Sequence, residues 1–355
     1  MRVDRLWLTD FRNYESCELA PAPGLTVIVG ANGVGKTNLL EALAYLATLS
    51  SFRGSPNEAL VRDGCEAAVV RAEGWRDGRT VLLEAEVRAS GRGRVLVNKQ
   101  PLRRARDLLG ALRVTVFAPD DLRLVKAGPG ERRAYLDELL VAAHPKWDAV
   151  QGDVDRVLRQ RNTLLRQAGG RATGEVAATL DVWDAKLADV GTSLVEAREE
   201  IGARLEPEIG KAYDEVADAA ADVALHYTRS WTGALVDALL GARTDDLRRA
   251  VTTVGPHRDD VSFTIGGLPA RTHASQGEQR SLALALRLAS HRLVADVVGE
   301  PPILLLDDVF SELDADRSDS LLRHLPTGQA LLTTAGTIPD RALPELVHRV
   351  PGRPS

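Results

Sequence analysis

Cysteine is almost absent: Cys17 and Cys65 are the only two in 355 residues. So isolated a pair makes neither a disulfide framework nor a zinc site, and it reads as two small buried hydrophobes in a reducing compartment. Long apolar runs are missing as well. No stretch reaches the roughly 20 uninterrupted apolar residues of a membrane helix, so a soluble chain is expected. At the start, Val3-Asp4-Arg5-Leu6-Trp7-Leu8 alternates like a strand, with no basic segment leading into an apolar one, and no export signal is read there. Positive charge is not in excess either: the net charge of −5 argues against a uniformly basic nucleic-acid binder. Only six of the 45 Lys and Arg residues are lysine.

What is present is 44% hydrophobic and 27% charged residues, the proportions of a globular protein, in a chain long enough for two or three packed units. The cations that exist are clustered. Arg88, Arg92, Arg94, Lys99, Arg103, Arg104 and Arg106 follow one another without an intervening acid between Lys99 and Arg106 or before it. Arg156, Arg159, Arg161, Arg166 and Arg171 form a second such run. Either stretch could hold a phosphate backbone by counterion release, or be a solvated face. Arg92, Arg94, Lys99, Arg103, Arg104, Arg159 and Arg161 are the candidate DNA contacts.

The strongest motif is Gly30-Ala31-Asn32-Gly33-Val34-Gly35-Lys36-Thr37, set between the apolar run Leu25-Thr26-Val27-Ile28-Val29 and the helical pattern that begins at Asn38. Glycines let backbone N–H groups turn toward phosphate oxygens, and the helix start adds partial positive charge. Lys36 reaches the β/γ-phosphates and Thr37 offers a hydroxyl to Mg²⁺. A strand–loop–helix setting of this kind is a phosphate loop.

In order, strands are predicted over 2–8 and 25–29, joined by a loop containing Phe11-Arg12-Asn13-Tyr14, whose arginine is expected near bound nucleotide. Further strands are expected over 66–75, 79–88 and 94–97 as an antiparallel sheet, then a helix over 105–112 and a strand over 113–117 that stops at Ala118-Pro119-Asp120-Asp121. From Gly130 long helices take over. Val176, Leu180, Trp183, Leu187, Val190, Leu194, Ala197, Ile201 and Leu205 make an a/d seam, and 147–167 supplies Val150, Val154, Val157 and Leu164 around Arg161. The pair either projects as a hairpin arm of about 30 Å or packs as ordinary helices of a second domain. Pro207 is expected to interrupt or end the second helix. Strand-like 223–227 and helix-like 232–240 and 244–252 lead to Gly255-Pro256-His257-Arg258-Asp259-Asp260.

Near the C-terminus, Ile303-Leu304-Leu305-Leu306-Asp307-Asp308 is a buried strand ending in two acids, a Walker B pattern. Asp307 is placed to hold Mg²⁺ and Asp308 to orient or deprotonate water. Ahead of it, Ser275-Gln276-Gly277-Glu278-Gln279 opens a helix with Ser275 as a good N-cap, a second anion site. Behind it come Ser311-Glu312-Leu313-Asp314 and the strand Gln329–Thr334, which ends in hydroxyls.

These motifs, in this order, resemble the ABC-type ATPases and within them the SMC-like group. The closer resemblance is to the RecF family of bacterial recombination mediators and spans essentially the whole chain. It rests on Asp10-Phe11-Arg12-Asn13-Tyr14, Gly30 to Asn38, Gly128-Pro129-Gly130-Glu131-Arg132-Arg133-Ala134-Tyr135-Leu136-Asp137, Arg159-Gln160-Arg161-Asn162, Gly255-Pro256-His257-Arg258-Asp259 and Asp307 to Asp314. The resemblance implies an α/β fold: an ABC-type P-loop ATPase head with a mixed sheet, flanking helices and an antiparallel β subdomain, over 1–128 and 223–355. An inserted α-helical, arm-like domain would occupy 129–222.

The resemblance also implies ATP and Mg²⁺ as cofactors. Nucleotide would be held by Gly30, Ala31, Asn32, Gly33, Val34, Gly35, Lys36, Thr37 and Asn38, with Arg12 and Asn13. Ser275, Gln276, Gly277 and Glu278 would reach the nucleotide of a second copy, so an ATP-dependent homodimer is implied. Metal would be held by Thr37, Asp307 and Asp120, and catalysis carried by Lys36, Asp308 and Thr333 or Thr334. Pro119-Asp120-Asp121 stands where most relatives carry a metal-contacting Gln, and Thr333 or Thr334 where they carry a switch His. A Thr cannot titrate near neutral pH, so slow, DNA-stimulated hydrolysis is expected.

The implied function is gap repair, SOS induction and replication restart on single-stranded and gapped or junction DNA, with RecO and RecR, in loading RecA. A cytoplasmic, nucleoid-associated location goes with it. The alternative is another SMC-like ATPase acting as a nucleotide switch in DNA metabolism. A membrane-linked ABC subunit lacks its membrane segment, and a long-arm chromosome organiser would need hundreds of arm residues. A non-enzymatic nucleotide sensor would differ by showing no ATP turnover even with DNA.

Overall fold

The computed structural model describes residues 1–171, 173–217, 220–311, 313–339 and 341–351. Glu312 of the Ser311–Asp314 turn and Ala172 of the turn between the two long helices lie outside the described residues. The chain forms two compact units, one of residues 1–122, 211–220 and 280–355, the other of 123–210 and 221–279. The expectation that 223–355 joins the head is corrected for 223–279. The reason is pairing: the strands of that segment bond to one another and pack on the first long helix of the insertion.

The first unit holds two sheets. One is antiparallel, in the order β2 (Tyr14–Leu19), β1 (Arg2–Phe11), β4 (Ala67–Arg76), β5 (Arg79–Arg88), β6 (Val95–Val97), β7 (Gln100–Pro101). Its strands alternate buried and half-exposed residues, the mark of a sheet with one face on the core. The other is parallel, in the order β14 (Leu346–Arg349), β3 (Leu25–Val29), β13 (Ala330–Thr334), β12 (Ile303–Asp307), β8 (Val114–Phe117). Its central strands β12 and β13 are buried at every residue, as a sheet covered on both faces requires. Helix α1 (Lys36–Thr48) contributes Leu39, Leu40, Leu43 and Leu46 to a core shared with both sheets. Gln329 ties them further: its Oε1 accepts from the Val3 N–H, and its Nε2 donates to the carbonyls of Val3 and Ala22.

The second unit is mainly helical: α2 (Pro129–Ala143), α3 (Lys146–Gln167), α4 (Gly174–Ala217, whose last turns belong to the first unit) and α5 (Leu235–Arg249). A small antiparallel sheet joins β9 (Val223–Thr228), β10 (Asp260–Ile265) and β11 (Leu268–Pro269). The seam residues Leu180, Leu187, Leu194, Ala197, Ile201 and Leu205 are buried. Two expectations fail in instructive ways. Pro207 sits inside α4 without ending it, because Leu205, Ile209 and Ala212 stay buried on either side and outweigh the one lost hydrogen bond. The two short helices expected at 232–240 and 244–252 are one helix, α5, since the cost of Gly241 is overridden by burial of Leu239 and Leu247.

Helix α6 (Gln276–Val298) begins in the second unit and continues into the first, and α7 (Ala315–His324) follows the Walker strand. Among the described residues no helix is long and apolar enough to cross a membrane.

Candidate nucleotide-binding site

The phosphate loop follows β3 and closes on the first residue of α1. Gly33 and Gly35 adopt φ of 80° and 112°, left-handed values that favour glycine. At Gly35 the need is also steric, since a Cβ would lie 2.6 Å from Asn13 Oδ1. Val34 anchors the loop in the core, while Ala31, Asn32 and Gly33 are exposed at its tip. The Gly30 N–H donates to the Thr334 carbonyl. Lys36 is buried, and its Nζ donates to the carbonyls of Gly30 (2.8 Å) and Ala31 (2.9 Å), so the ammonium lies under the loop rather than in solvent.

Sheet order brings the second half of the site to this loop. Strands β3 and β12 are not neighbours; both flank β13, with Thr333 paired to Ile28 on one side and to Asp307 on the other. At that shared carboxyl edge, Thr37 Oγ1 donates to Asp307 Oδ1 at 2.7 Å and Thr333 Oγ1 donates to the same oxygen at 2.9 Å. Burial pushes the Asp307 carboxyl above its ordinary range; the two hydroxyls oppose this and the neighbouring Asp308 reinforces it. A buried carboxylate with only hydroxyls for partners has its charge uncompensated, and it stands beside a hydroxyl that is itself a hard oxygen ligand. That donor set suits a small hard cation such as Mg²⁺.

Asp308 comes next, with φ of 49°, a left-handed conformation that aspartate tolerates better than most residues. Its N–H donates to Thr333 Oγ1 at 3.0 Å, and its carbonyl accepts from the Ser311 hydroxyl at 2.7 Å. The Thr333 hydroxyl thus donates to Asp307 and accepts from the Asp308 N–H, which ties both acids to β13. Thr334 Oγ1 accepts from the Gly336 N–H, and its side chain is nearly buried.

Three other candidates have these surroundings in the structure. Arg12, expected beside the nucleotide, gives Nε and Nη2 to the two oxygens of buried Glu41, with Nη1 on the Ala59 carbonyl and Nη2 also on Ser55 Oγ. It braces α1, because a buried glutamate needs a guanidinium more than an exposed loop does. Asn13 is spent on the loop itself, donating to the Val34 carbonyl and accepting from Asn38 Nδ2. Asp120 is exposed in the turn after β8, whereas Asp121 caps the Ala118 N–H and pairs with Arg287 at 2.7 Å. No contact joins Asp120 to Asp307 among the described residues.

Sequence reasoning missed Arg53. It is 47% exposed and sits 3.5 Å from Asn38 Oδ1 and 3.9 Å from Glu41, close enough for its charge to favour the ionised form of Asp307. The only signal was an unassigned cation one turn past α1, in Ser51-Phe52-Arg53-Gly54.

In the second unit, Ser275 and Glu278 form a reciprocal cap on α6. Ser275 Oγ accepts from the Glu278 N–H, and Glu278 accepts from the Ser275 N–H, which with the serine hydroxyl holds its carboxyl below the usual range. Ser275, Gln276 and Glu278 are exposed, Gly277 is half-buried, and Gln279 Nε2 is tied to the carbonyls of Ala270 and Arg271.

The candidate DNA contacts divide. Arg92, Lys99 and Arg103 are exposed on the hairpins around β6. Arg94 pairs with Glu86 and Arg104 with Asp107, acids that neighbouring strand and turn supply. Arg159 is exposed on α3. Arg161, by contrast, is completely buried: Nε bonds Asp184 at 2.7 Å, Nη1 bonds Asp246 at 2.7 Å and Thr252 Oγ1 at 2.9 Å. It cannot reach DNA. Its neighbour Asn162 accepts from Thr252 N–H and Oγ1, so this motif joins α3 to α4, α5 and the 252 loop.

A nucleotide loop and an acid-tipped strand held apart by one threonine-bearing strand, with an antiparallel sheet on the same core, are the architecture of the SMC-like ABC ATPase heads. The SMC head solved with the C-terminal winged-helix domain of ScpA shares the fold, with a TM-score of 0.57 at 16% identity over 96% of this chain and 91% of that one. The family model for the RecF/RecN/SMC N terminal domain matches residues 2–331.

Within that class the chain belongs to the RecF family. It is 45% identical to the DNA replication and repair protein RecF of Kineococcus radiotolerans, over 96% of this chain and 94% of that one. It is 46% identical to the RecF of Frankia alni over the same shares. The recombination mediator protein RecF of the RecFOR pathway, solved as RecF-ATPrS, superposes with a TM-score of 0.90 at 29% identity, covering 98% of this chain and 95% of that one.

Proposed function

We propose that this chain binds ATP with Mg²⁺, dimerises on it, and uses the dimer to hold DNA in recombinational repair. The observation that carries this is the Thr37–Asp307 contact of 2.7 Å at the foot of a glycine loop, which sets a buried carboxylate beside a hydroxyl. RecF relatives solved with ATP and ATPrS support the ligand. Bound Mg²⁺ would neutralise phosphate charge. For that ligand set, the loop N–H groups and Lys36 would receive the phosphates and Thr37 and Asp307 would hold the metal, with exposed Asp120 in the turn after β8 as a third candidate ligand. Asp308, fixed by Thr333, accepts a proton from or orients the attacking water. Thr334 remains the candidate switch hydroxyl. With no imidazole there, turnover is slow and DNA stimulates it.

Ser275, Gln276, Gly277 and Glu278 form the surface that a second copy's nucleotide would meet, which makes the unit an ATP-dependent homodimer. Arg92, Lys99 and Arg103, with Arg94, Arg104 and Arg159, contact single-stranded and gapped or junction DNA. RecR and RecO are the partners, RecA loading the outcome, SOS induction and replication restart the consequences, and the nucleoid the location. Sedimentation and DNA binding of wild type and Lys36→Met, with and without Mg·ATP and at several salt concentrations, test this. Wild type is expected to dimerise on ATP and bind DNA with strong salt dependence, and Lys36→Met to stay monomeric. ATP-independent monomers with no salt-sensitive DNA binding would overturn it.

A further inference from the structure

Two stretches that mark the family, 128–137 and 255–260, take no part in the nucleotide site. In the second unit they meet. Arg132 pairs with Asp260 at 2.8 Å, Arg133 Nη1 donates to the Asp259 carbonyl, and Arg198 grips Asp137 with two bonds of 2.7 Å while donating to the Pro256 carbonyl. Most of this is a structural hub, but its charges do not balance.

Arg132 and Arg198 each have a carboxylate; Arg133 and Arg258 have none. Arg258 gives Nε and Nη2 to the Thr252 carbonyl, at 3.3 and 3.2 Å, and Arg133 meets only the Asp259 carbonyl. The carboxylate of Asp259 pairs with neither, since it accepts from the Tyr227 hydroxyl at 2.6 Å and the Ser230 N–H at 2.8 Å. The charges of both arginines act on His257. Its Nε2 faces the Thr252 carbonyl at 3.0 Å, and a carbonyl only accepts, so Nε2 carries the proton. Nδ1 is buried without a partner.

We propose that Arg133 and Arg258 form a phosphate-binding site in the helical unit, with neutral His257 beside it, and that it holds one phosphodiester of the bound DNA. This rests on the DNA-binding reading above. Two guanidinium groups from chain positions far apart, with only neutral partners, present N–H donors that a phosphate with several acceptor oxygens satisfies together. The electrostatics agree. Burial and the charge of Arg198 disfavour the Arg133 cation, and burial holds His257 at about 4, with Arg258 and Arg133 pushing the same way and Asp246 opposing. Positive charge is crowded here, and an anion relieves it. Arg258 is exposed, so the site is open to a large ligand.

The test uses the full chain with Mg·ATP. Binding of a labelled gapped duplex by anisotropy across salt concentrations is compared for wild type, Arg258→Gln, Arg133→Gln and Arg258→Lys. Arg258→Gln is expected to weaken binding about tenfold and to lower the log–log salt slope by about 0.9, the loss of one phosphate contact. Arg258→Lys restores the slope, and ATP binding stays at the wild-type level in all three. Unchanged affinity and slope in both glutamine variants would overturn the site.

Inorganic phosphate titrated against the His257 ring resonances separates the sources. A shift in wild type that Arg258→Gln abolishes, together with altered DNA binding, supports the proposal. The same shift with unaltered DNA binding rejects DNA as the ligand in favour of a free phosphate compound. Failure of wild type itself to bind DNA overturns the DNA-binding reading and this inference with it, an outcome distinct from wild-type binding that the variants leave untouched.

Discussion

Asp184 and Asp246 in the helical unit and Asp307 in the ATPase unit are buried carboxylates kept in opposite ways. In the helical unit, Asp184 receives Arg161 on one oxygen and Arg243 on the other, and Asp246 receives Arg161 on one and the Thr253 N–H and hydroxyl on the other. In the ATPase unit, Asp307 receives two neutral hydroxyls. The first arrangement gives both carboxylates a cationic partner, although Arg161 Nη2 is buried without a partner of its own. The second gives the carboxylate no cation among its hydrogen-bond partners. Compensation, rather than burial, separates Asp307 from Asp184 and Asp246.

The sharpest way to break the comparison is to remove the compensation. Arg161→Met leaves Asp246 without its cation and is expected to destabilise the protein by about 3–5 kcal/mol, read by chemical denaturation. A loss under 1 kcal/mol would mean the cluster is not the closed network described. Next in size, Asp308→Asn is expected to cut ATP turnover about a hundredfold while leaving ATP-driven dimerisation intact; single-turnover kinetics beside sedimentation separate the two. Thr333→Val removes the hydroxyl that fixes both acids, and a loss of about tenfold in turnover with the nucleotide affinity little changed would identify it as a positioning residue.

The smallest effect is in pH. Because the folded-state pKa of Asp307 is raised, the folded protein binds its proton more tightly than the unfolded chain does. Its contribution to stability is therefore full below the ordinary value of 3.8 and falls as pH rises through the raised one. The stability advantage of Asp307→Asn over wild type, without nucleotide, should accordingly grow across that window; a constant difference would contradict the assignment.

Much of this site is legible in the sequence, because its rules are local. Gly33 and Gly35 precede a lysine and a helix at fixed spacing, and four apolar residues before Asp307 specify a strand buried on both faces. The antiparallel strands also follow from alternation, with 79–88 read to the residue. What the sequence hides is partnership across distance. Arg161 looks like one cation in a basic run because Asp184 lies 23 residues away and Asp246 lies 85. The partners of Arg12 and Thr333 are hidden in the same way, since Glu41 lies 29 residues from Arg12 and Asp307 lies 26 from Thr333. Strand β2 escapes for a different reason: Glu15, Ser16 and Glu18 are exposed on an edge and carry no strong alternation.

The account stands most directly on Asp307, and one thermal-melting comparison addresses it: wild type and Asp307→Asn, each with and without Mg·ATP. Without ligand the variant is expected to melt about 2 °C above wild type, since it no longer buries an uncompensated charge. With Mg·ATP the order is expected to reverse, wild type rising and the variant scarcely moving. A variant that melts below wild type without ligand, or that gains as much from Mg·ATP, would contradict the claim that Asp307 is a metal-binding carboxylate kept buried for that purpose.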